Sequence, residues 1–342
     1  MGAVSRTPVS VVVCTLGREP RLLETVRAVL GQTHDALELI VVDNDPASGR
    51  TAALLDGLDG ARLRLIAEPR RGLSSARNAG VVAATHEIVA FTDDDALPAS
   101  DWVARLADAF DGDPAVACVT GRVLPTEIAT RSQQFFEEAG GFDKGERPVH
   151  WRLDAAGTAL DISLGTSLGT EPGPRGVAFP FDGGFGSGNN MAFRRDWLRR
   201  IGGFDVALGA GSIARGGEDL DAFQAVYLAG GPVVYWPAAL VRHHHRADHE
   251  ALREQMHGYG VGMAAVVTKR FMTSPALAVQ VLGRLPAGLR LLLDSTSDKN
   301  RNKTAAFPSD VTRAERLGYL VGPFAYLKSR GRARRESFAE AR

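Results

Sequence analysis

Short apolar runs alternate with helical patterns through the first third of the chain. The runs are rich in Val, Ile and Leu and are largely continuous, as in strands buried on both faces of a sheet. The four predicted strands are residues 9–14, 37–42, 62–67 and 87–92. Between them, apolar residues recur three and four positions apart, which is a helical spacing. The three predicted helices are residues 21–30, 51–58 and 75–84. This alternation predicts right-handed crossovers and a mostly parallel α/β sheet flanked by helices.

Acidic residues directly follow two of the predicted strands. Asp43 follows the second strand, and Asp93, Asp94 and Asp95 follow the fourth. The carboxyl ends of parallel strands meet at one edge of a sheet, where ligands bind. Adjacent carboxylates raise each other's pKa, a cost that a cation such as Mg²⁺ or Mn²⁺ removes. Two interpretations remain open from the pattern alone: a metal site that holds phosphate oxygens, and a solvated turn before the next helix.

The pattern changes after residue 120. Residues 121–185 are rich in Gly, Pro and Thr and predict an irregular surface segment, apart from a helix at 133–138. An organised block follows at 186–246. From residue 250 onward the pattern is helical, with four expected interruptions. These interruptions are Pro275, Pro286, Pro308 and Pro323.

Charge is unevenly distributed, although the 342 residues include 40 Lys and Arg and 40 Asp and Glu. Residues 251–342 hold 16 basic and 7 acidic residues, so the rest of the chain is acidic. We expect Cys14 and Cys118, both in apolar runs, to be buried and reduced. No segment has a secretory-signal pattern, and Arg284 ends the uncharged run at 271–283, short of the ~18 residues that span a bilayer. We therefore expect a cytoplasmic protein.

An ordered set of motifs resembles the family 2 glycosyltransferases. The motifs span residues 9 to about 246 and are VSVVVCTLGR (9–18), QTH (32–34), IVVDND (40–45), RGLSSARNAG (71–80), EIVAFTDDDALP (87–98), GNNMAFR (188–194), GGFD (202–205) and GEDLD (217–221). The resemblance implies a GT-A fold, a Rossmann-like α/β sheet, with a C-terminal helical extension. Residues 1–246 would form the catalytic domain, with a nucleotide-binding half at about 1–120 and an acceptor half at 121–246. Residues 247–342 would form the basic extension.

The resemblance also implies a nucleotide-sugar donor. The candidate donor-binding residues are Thr15, Leu16, Arg18, Asp43, Arg71, Arg77, Asn78, Asp93, Asp94, Asn189 and Asn190. Asp43 is expected to accept a hydrogen bond from the base. The sequence Asp-Asn-Asp-Pro departs from the family's usual Asp-Asp-Gly-Ser at this turn, so UDP is favoured only by family prevalence, and thymidine and guanosine diphosphates stay open. For Arg77, a structural ion pair is the alternative.

A divalent metal, Mn²⁺ or Mg²⁺, and a carboxylate base complete the implied site. Asp93 and Asp95 are the expected metal ligands, and Asp94 is an alternative ligand. His243 and His245 would lie on one side of an extended segment and either complete the metal site or bind diphosphate, with a solvated loop as the alternative. Inverting transfer needs a carboxylate that takes the acceptor's proton. Asp219 is the predicted base, and Glu218 is its alternate.

The predicted activity is inverting transfer of a sugar to a hydroxyl acceptor in cell-envelope polysaccharide or glycolipid synthesis. Family prevalence favours a UDP-sugar as the donor. A soluble small metabolite as acceptor and a non-catalytic nucleotide-sugar-binding regulator are the alternatives. The apolar and basic residues at 275–293 and 315–335 suit helices on an anionic membrane surface, on its cytoplasmic face, or helices packed on the body. Nucleic acid is not an expected partner, because the basic tail lacks interleaved stacking aromatics.

Overall fold

The computed structural model describes residues 7–58, 60–152, 184–273, 275–297 and 299–340. One nine-stranded sheet runs through these residues. Its strands are β1 (Val9–Thr15), β2 (Leu37–Asp43), β3 (Leu63–Ala67), β4 (Ile88–Asp93), β5 (Ala96–Pro98), β6 (Cys118–Pro125), β7 (Val149–Trp151), β8 (Met191–Arg194) and β9 (Val233–His243). The four strands predicted from the first third of the sequence are confirmed as β1 to β4.

The spatial order of the strands is β3-β2-β1-β4-β8-β6-β9-β5, and β7 pairs with β9. The half formed by β3, β2, β1 and β4 is parallel, as predicted. Beyond β4 the sheet is mixed, because β8 runs antiparallel to both β4 and β6. In the parallel register Thr15 lies opposite Asp43, and Cys14 lies opposite Asp93. The carboxyl ends of β1, β2 and β4 therefore meet at one edge.

Helices flank the sheet and form the C-terminal part of the described chain. They are α1 (Leu22–Leu30), α2 (Arg50–Leu55), α3 (Leu73–Ala83), α4 (Trp102–Gly112), α5 (Arg131–Glu138), α6 (Arg195–Arg200), α7 (Glu218–Leu228), α8 (His249–Thr273), α9 (Pro275–Leu293) and α10 (Ser309–Glu340). The predicted helix at 133–138 is confirmed as α5. It begins with a capping box between Thr130 and Gln133, which satisfies two backbone donors of the first turn.

The prediction that residues 121–185 are irregular is wrong where β6 and β7 occur. β6 is an interior strand held by β8 and β9, so pairing with distant segments overrides its turn-rich composition. Residues 153–183 of that prediction lie outside the described residues. The predicted interruptions at Pro286 and Pro323 are also wrong, because α9 and α10 continue through them. Pro275 instead begins α9, where a missing N–H costs no intrahelical bond.

Two apolar layers pack on the two faces of the sheet. Val12 of β1 faces one layer, while Val11 and Val13 face the other. This alternation confirms that β1 is buried on both faces. Cys118 is buried and Cys14 is half-buried, and both are free thiols.

The helices after residue 246 pack on the rest of the chain. Ala265 and Val266 of α8 belong to the same apolar layer as the sheet residues. α10 runs alongside α8 at a distance that only glycine allows, because a Cβ on Gly318 would lie 2.4 Å from the backbone oxygen of His257. The boundary at residue 246 therefore crosses one continuous core.

One described helix is long and apolar enough to cross a membrane by length and composition. It is α9, whose mean hydropathy over 18 residues is 1.4 and of which 12% is buried in the protein. Arg284, the predicted end of the apolar run, lies inside this helix.

Candidate active site

The carboxyl ends of β1, β2 and β4 place Thr15, Asp43 and Asp93 along one edge of the sheet. β5 pairs antiparallel with β9, with Ala96 opposite His243. This pairing brings the end of β9 to the turn that follows Asp93. The predicted convergence of acidic residues at this edge is what the fold produces.

Asp93, Asp95 and His243 form a candidate metal centre. One potential ligand atom from each lies within 4.8 Å of the others, and His243 Nε2 is 3.3 Å from Asp95 Oδ1. Burial raises the pKa of Asp93. Burial also acts to raise the pKa of Asp95, but the hydrogen bond and charge of His243 outweigh it and lower that pKa. Two carboxylates and an imidazole fit Mn²⁺, whereas Mg²⁺ prefers oxygen ligands.

His245 lies behind His243 rather than in this three-residue cluster. Its Nδ1 atom is 3.1 Å from His243 Nδ1. Its Nε2 atom is 2.8 Å from Glu137 Oε1. The two histidines predicted as metal ligands therefore occupy different places: His243 faces Asp93 and Asp95, and His245 faces Glu137.

Asp94 is turned away from Asp93 and Asp95, toward β1. Thr15 Oγ1 donates a hydrogen bond of 2.5 Å to Asp94 Oδ2, and Thr25 Oγ1 donates to the carbonyls of Asp94 and Ala96 at 3.2 and 2.8 Å. Burial raises the pKa of Asp94 to about 7, with the charges of Asp95 and Asp93 adding to the rise. These contacts fix the turn that presents Asp93 and Asp95.

Arg77 lies buried beneath the site and pairs with two of its acids. Its Nη1 donates to Glu218 Oε1 at 2.8 Å, and its Nη2 donates to Asp93 Oδ1 at 3.2 Å. Nη2 also donates to the carbonyl of Gly188 at 3.1 Å. Burial raises the pKa of Glu218 to about 7, although the Arg77 charge opposes the rise. For Arg77, predicted as a donor-binding residue, the structure shows the alternative, an ion pair.

Asp219 occupies the first turn of α7 and is half-buried. Its Oδ2 accepts a hydrogen bond of 2.8 Å from the Gly188 amide, and its Oδ1 accepts one of 2.7 Å from the Leu220 amide. Gly188 thus links Asp219 to Arg77. A Cβ at Gly188 would lie 3.0 Å from both side chains. The preceding Gly217 has φ +86°, a conformation that favours glycine.

The three candidate asparagines have different surroundings. Asn190 is buried and uses its amide to bind Trp102 Nε1 and the carbonyls of Arg122 and Ala239, each at 2.8 Å. Asn78 binds the backbone N–H and carbonyl of Phe204, both at 2.8 Å. Both amides therefore hold backbone segments in place.

Asn189 is also buried, but its Oδ1 has no hydrogen-bond partner among the described residues. Buried polar atoms are nearly always paired in folded proteins. Asn189 follows Gly188, whose amide and carbonyl bind Asp219 and Arg77. Among the three asparagines, it is the one with an open acceptor beside the site.

A cluster of arginines surrounds the predicted nucleotide end of the edge. Asp43 Oδ1 accepts the Asp45 amide at 2.9 Å. Asp45 in turn pairs with Arg71 at 2.6 Å, Arg50 at 2.7 Å and Arg18 at 3.5 Å, and these cations lower its pKa against the effect of burial. Leu16 is partly exposed at the same turn. Three arginines share the one Asp45 carboxylate, so net positive charge remains. We call these arginines and Asp45 the arginine rim, and its charge suits an anionic ligand.

Several residues of the site were not singled out from the sequence. For Asp45 and Arg50, one feature of the sequence could have indicated a role in the site, namely the departure of Asp-Asn-Asp-Pro from the family pattern. Glu137 had none, because its partner His245 is 108 residues away. Asp221 belongs to the motif GEDLD, but its role depends on Arg270, which pairs with it at 2.8 Å.

The chain matches the sequence model described as Glycosyl transferase family 2 over residues 10–202, more than half of its length. It is 29% identical over 245 residues to the glucosyl-dolichyl phosphate glucuronosyltransferase of Haloferax volcanii, covering 69% of this chain and 68% of that protein. It is 28% identical over 240 residues to the succinoglycan biosynthesis protein ExoM of Rhizobium meliloti, covering 67% of this chain and 64% of ExoM.

A third relative is the pre-mycofactocin glycosyltransferase of Mycobacterium tuberculosis, 30% identical over 215 residues. The match covers 62% of this chain, which spans only 38% of that relative's length.

Two solved structures share the fold at low sequence identity. The mannosyltransferase PcManGT from Pyrobaculum calidifontis, solved with GDP-Man and Mn²⁺, has a TM-score of 0.53 at 20% identity, covering 93% of this chain and 89% of that one. The Staphylococcus aureus protein TarS, residues 1–349, has a TM-score of 0.54 at 13% identity, covering 94% and 81%. These likenesses confirm the predicted GT-A fold. The family match and the ordered site together show that this chain belongs to the family 2 glycosyltransferases.

Proposed function

We propose that the protein transfers a sugar, with inversion, from a nucleotide-diphosphate sugar to a hydroxyl acceptor, and that Asp219 is the base. The observation that carries this proposal is the half-buried Asp219 carboxylate, joined through Gly188 and Arg77 to the Asp93 side of the candidate metal centre. A single displacement needs one such carboxylate to accept the acceptor's proton as the new bond forms.

Asp219 is a better base than Glu218 in this arrangement. Glu218 is buried, and its Oε1 is paired with Arg77 at 2.8 Å, so this carboxylate is shielded from an acceptor and one of its oxygens is engaged. Among the described residues, the Asp219 carboxylate accepts hydrogen bonds from two backbone N–H groups. Since a carboxylate has about four acceptor sites, oxygen lone pairs remain for an acceptor hydroxyl.

Asp93, Asp95 and His243 would hold a divalent metal, and the imidazole favours Mn²⁺ over Mg²⁺. When bound, the metal offsets the negative charge of the departing diphosphate. At the other end of the edge, Asp43 would accept a hydrogen bond from the nucleobase of the donor. The residues beside the nucleoside and its phosphates would be Thr15, Leu16, Arg18 and Arg71. The proposed donor is a UDP-sugar, and the arginine rim around Asp45 supports an anionic ligand of this kind.

The proposed acceptor is a lipid-linked carbohydrate at the cytoplasmic face of the membrane. One relative is named for a dolichyl phosphate substrate. In this chain, α9 and α10 expose many large apolar side chains and also carry basic residues. The exposed apolar residues are Val279, Leu282, Leu285, Leu289, Leu293, Leu317, Leu320, Val321, Phe324 and Leu327. A surface of this composition suits the interface of an anionic bilayer.

Nucleotide release from a panel of UDP-, GDP- and thymidine-diphosphate sugars tests the chemistry, with Mn²⁺ against EDTA. We expect one donor to be turned over only with metal. Asp219→Asn should lower turnover about 10²- to 10⁴-fold and leave donor binding by calorimetry unchanged. The matched control, Asp196→Asn on the surface of α6, should behave as wild type. Wild-type turnover in Asp219→Asn would reject the assignment of the base.

Co-sedimentation with vesicles tests the membrane contact. Vesicles containing phosphatidylglycerol should retain the wild type, and salt should weaken the retention because it screens the basic residues. Leu320→Glu combined with Phe324→Glu removes side chains that are 71% and 74% exposed and should abolish retention. Val82→Glu is the control, because Val82 is an equally exposed apolar residue on α3. Equal retention of all three proteins would contradict the contact.

A further inference from the structure

A chain of three polar side chains leads from the candidate metal centre into the acceptor half. It runs from His243 Nδ1 to His245 Nδ1 at 3.1 Å and from His245 Nε2 to Glu137 Oε1 at 2.8 Å. Both imidazoles are buried. The other nitrogen of His243, Nε2, faces Asp95 Oδ1 at 3.3 Å. The candidate metal centre therefore lies at one end of the chain and Glu137 lies at the other.

Hydrogen-bond chemistry gives this chain a direction. The Glu137 carboxylate only accepts, so His245 Nε2 must carry the proton. With a cation on His243 Nε2, the single proton of that neutral ring lies on Nδ1. His243 Nδ1 then donates to His245 Nδ1, 3.1 Å away, and His245 Nε2–H donates to Glu137. Every nitrogen of the two rings is thus used when His243 Nε2 binds a cation.

The Nε2 lone pair of His243 is what a metal ligand requires. In the absence of a cation, a proton on Nε2 takes its place and donates to Asp95 Oδ1 at 3.3 Å. The opposite tautomer pair would place the bare Nε2 of His245 against the Glu137 carboxylate at 2.8 Å. A cation on His243 Nε2 thus fixes one assignment of protons along the three side chains.

Aromatic rings cover the two buried imidazoles, while the Glu137 side chain at the end of the chain is 29% exposed. The Phe136 ring lies edge-to-face with His245, with centroids 4.7 Å apart, and the Phe142 ring lies in the same way on His243, at 5.1 Å. Gln133 Nε2 also donates to the carbonyl of His245 at 3.1 Å. Hydrogen bonds are stronger in such low-dielectric surroundings. The enclosing residues come from α5 and the residues just after it.

We propose that Glu137 and His245 are positioning residues that hold His243 in the tautomer that binds the metal, so that α5 supports the metal centre. The proposal rests on the proposed metal dependence of the enzyme, but it adds residues outside the family motif acids. It also assigns a role to His245 that differs from direct ligation. Loss of either positioning residue should therefore weaken metal binding without removing a ligand atom.

Electron paramagnetic resonance of Mn²⁺ tests this without turnover, because free Mn²⁺ gives a sharp signal that binding broadens. Glu137→Ala and His245→Ala should each raise the Mn²⁺ dissociation constant about 10- to 100-fold, the usual effect of such partners. Glu137→Gln keeps an acceptor oxygen and should bind Mn²⁺ better than Glu137→Ala. Glu138→Ala is the matched control, since the neighbouring carboxylate binds Thr304 instead, and its affinity should equal that of the wild type.

The outcomes separate this proposal from the one on which it rests. If the wild type binds no Mn²⁺, with or without nucleotide, the metal dependence itself is overturned. If the wild type binds and all Glu137 and His245 variants bind equally well, only the positioning role is overturned. Should Glu137→Ala fail to fold, nitrogen NMR of histidine-labelled wild type loaded with Zn²⁺, a diamagnetic ion that imidazole binds, decides. A His243 Nδ1–H signal supports the proposal, and an Nε2–H signal refutes it.

Discussion

Arg77 and Glu218 form an ion pair of 2.8 Å in which neither side chain is more than a tenth exposed. The pair joins α3 to the first turn of α7, and the second guanidinium nitrogen of Arg77 reaches Asp93 at 3.2 Å. One cation therefore sits between the acidic turn after β4 and the turn that carries Asp219. This geometry makes Arg77 a support for the relative placement of the two acidic turns.

Arg77→Met should strongly destabilise the fold, because it leaves Glu218 buried without a partner and Asp93 without its cation. Removing one partner of a buried pair costs about 3–5 kcal/mol in the free energy of unfolding. Urea unfolding followed by circular dichroism measures the change. The control is Arg105→Met, which breaks exposed pairs on α4 and should cost under about 1 kcal/mol. Similar losses of unfolding free energy in both variants would show that the buried Arg77–Glu218 pair stabilises the fold no more than exposed pairs do.

Gly318→Ala should separate α8 from α10. The new Cβ would lie 2.4 Å from the backbone oxygen of His257, and such overpacking costs about 1–3 kcal/mol. Gly331→Ala, in the same helix but with nothing within 4 Å of the new Cβ, should be neutral or stabilising by up to about 1 kcal/mol. Thermal unfolding of the two variants measures the contrast. A stabilised Gly318→Ala would mean that the helices are not held this closely.

Glu38 should contribute stability that disappears in acid. Partial burial acts to raise its pKa, but hydrogen bonds from Ser10 and Thr85, with one from Arg64, outweigh burial and lower the pKa from 4.5 to about 2. A carboxylate with a depressed pKa stabilises the fold above its unfolded pKa, and this contribution is lost as pH falls from about 4.5 to 2.

Chemical unfolding of Glu38→Gln at several pH values tests this expectation. The deficit of the variant against the wild type should be largest near pH 7 and should shrink below pH 4.5. Glu127→Gln, at an exposed position, supplies the control curve. A deficit that stays constant down to pH 2 would contradict the assigned hydrogen bonds.

Metal binding should raise stability as well as support turnover. A ligand present at 100 times its dissociation constant stabilises the native state by about 2.7 kcal/mol. Mn²⁺ should therefore raise the melting temperature, and EDTA should reverse the rise. Asp95→Asn should abolish the Mn²⁺ effect, while Asp101→Asn, an exposed acid at the start of α4, should retain it. A rise of equal size in Asp95→Asn would place the bound metal elsewhere.

The sequence predicted the edge of the site better than the role of each residue along it. The positions of Asp43 and Asp93 followed from strand periodicity, because a buried strand that ends in an acid places that acid at the carboxyl edge. Arg77 and Asn190 were harder. Whether each faces a ligand or the protein depends on Glu218 and Trp102, which lie 141 and 88 residues away. Local pattern carries no information about such partners.

The same limit explains β6 and α9. Composition predicted an irregular segment after residue 120, yet β6 is a strand because β8 and β9 supply hydrogen bonds on both sides. For α9, one arginine was taken as the end of an apolar run, although an arginine can extend its charged group away from an apolar helix face. Context from outside the segment decided both cases.

Two acids in the motifs also serve the C-terminal helices. Asp221 is buried against Arg270 and Lys269, and Lys269 bridges at 2.7 Å to Asp205 of the GGFD motif. In evolution, α8 and the loops around α7 must therefore be inherited together, because their charges are paired. A recombination that exchanged the C-terminus at residue 247 for one without these two cations would leave the buried Asp221 carboxylate without a partner. Lineages should therefore change the two acids and the two cations together, and shuffled enzymes should fail at this junction before they fail in the active site.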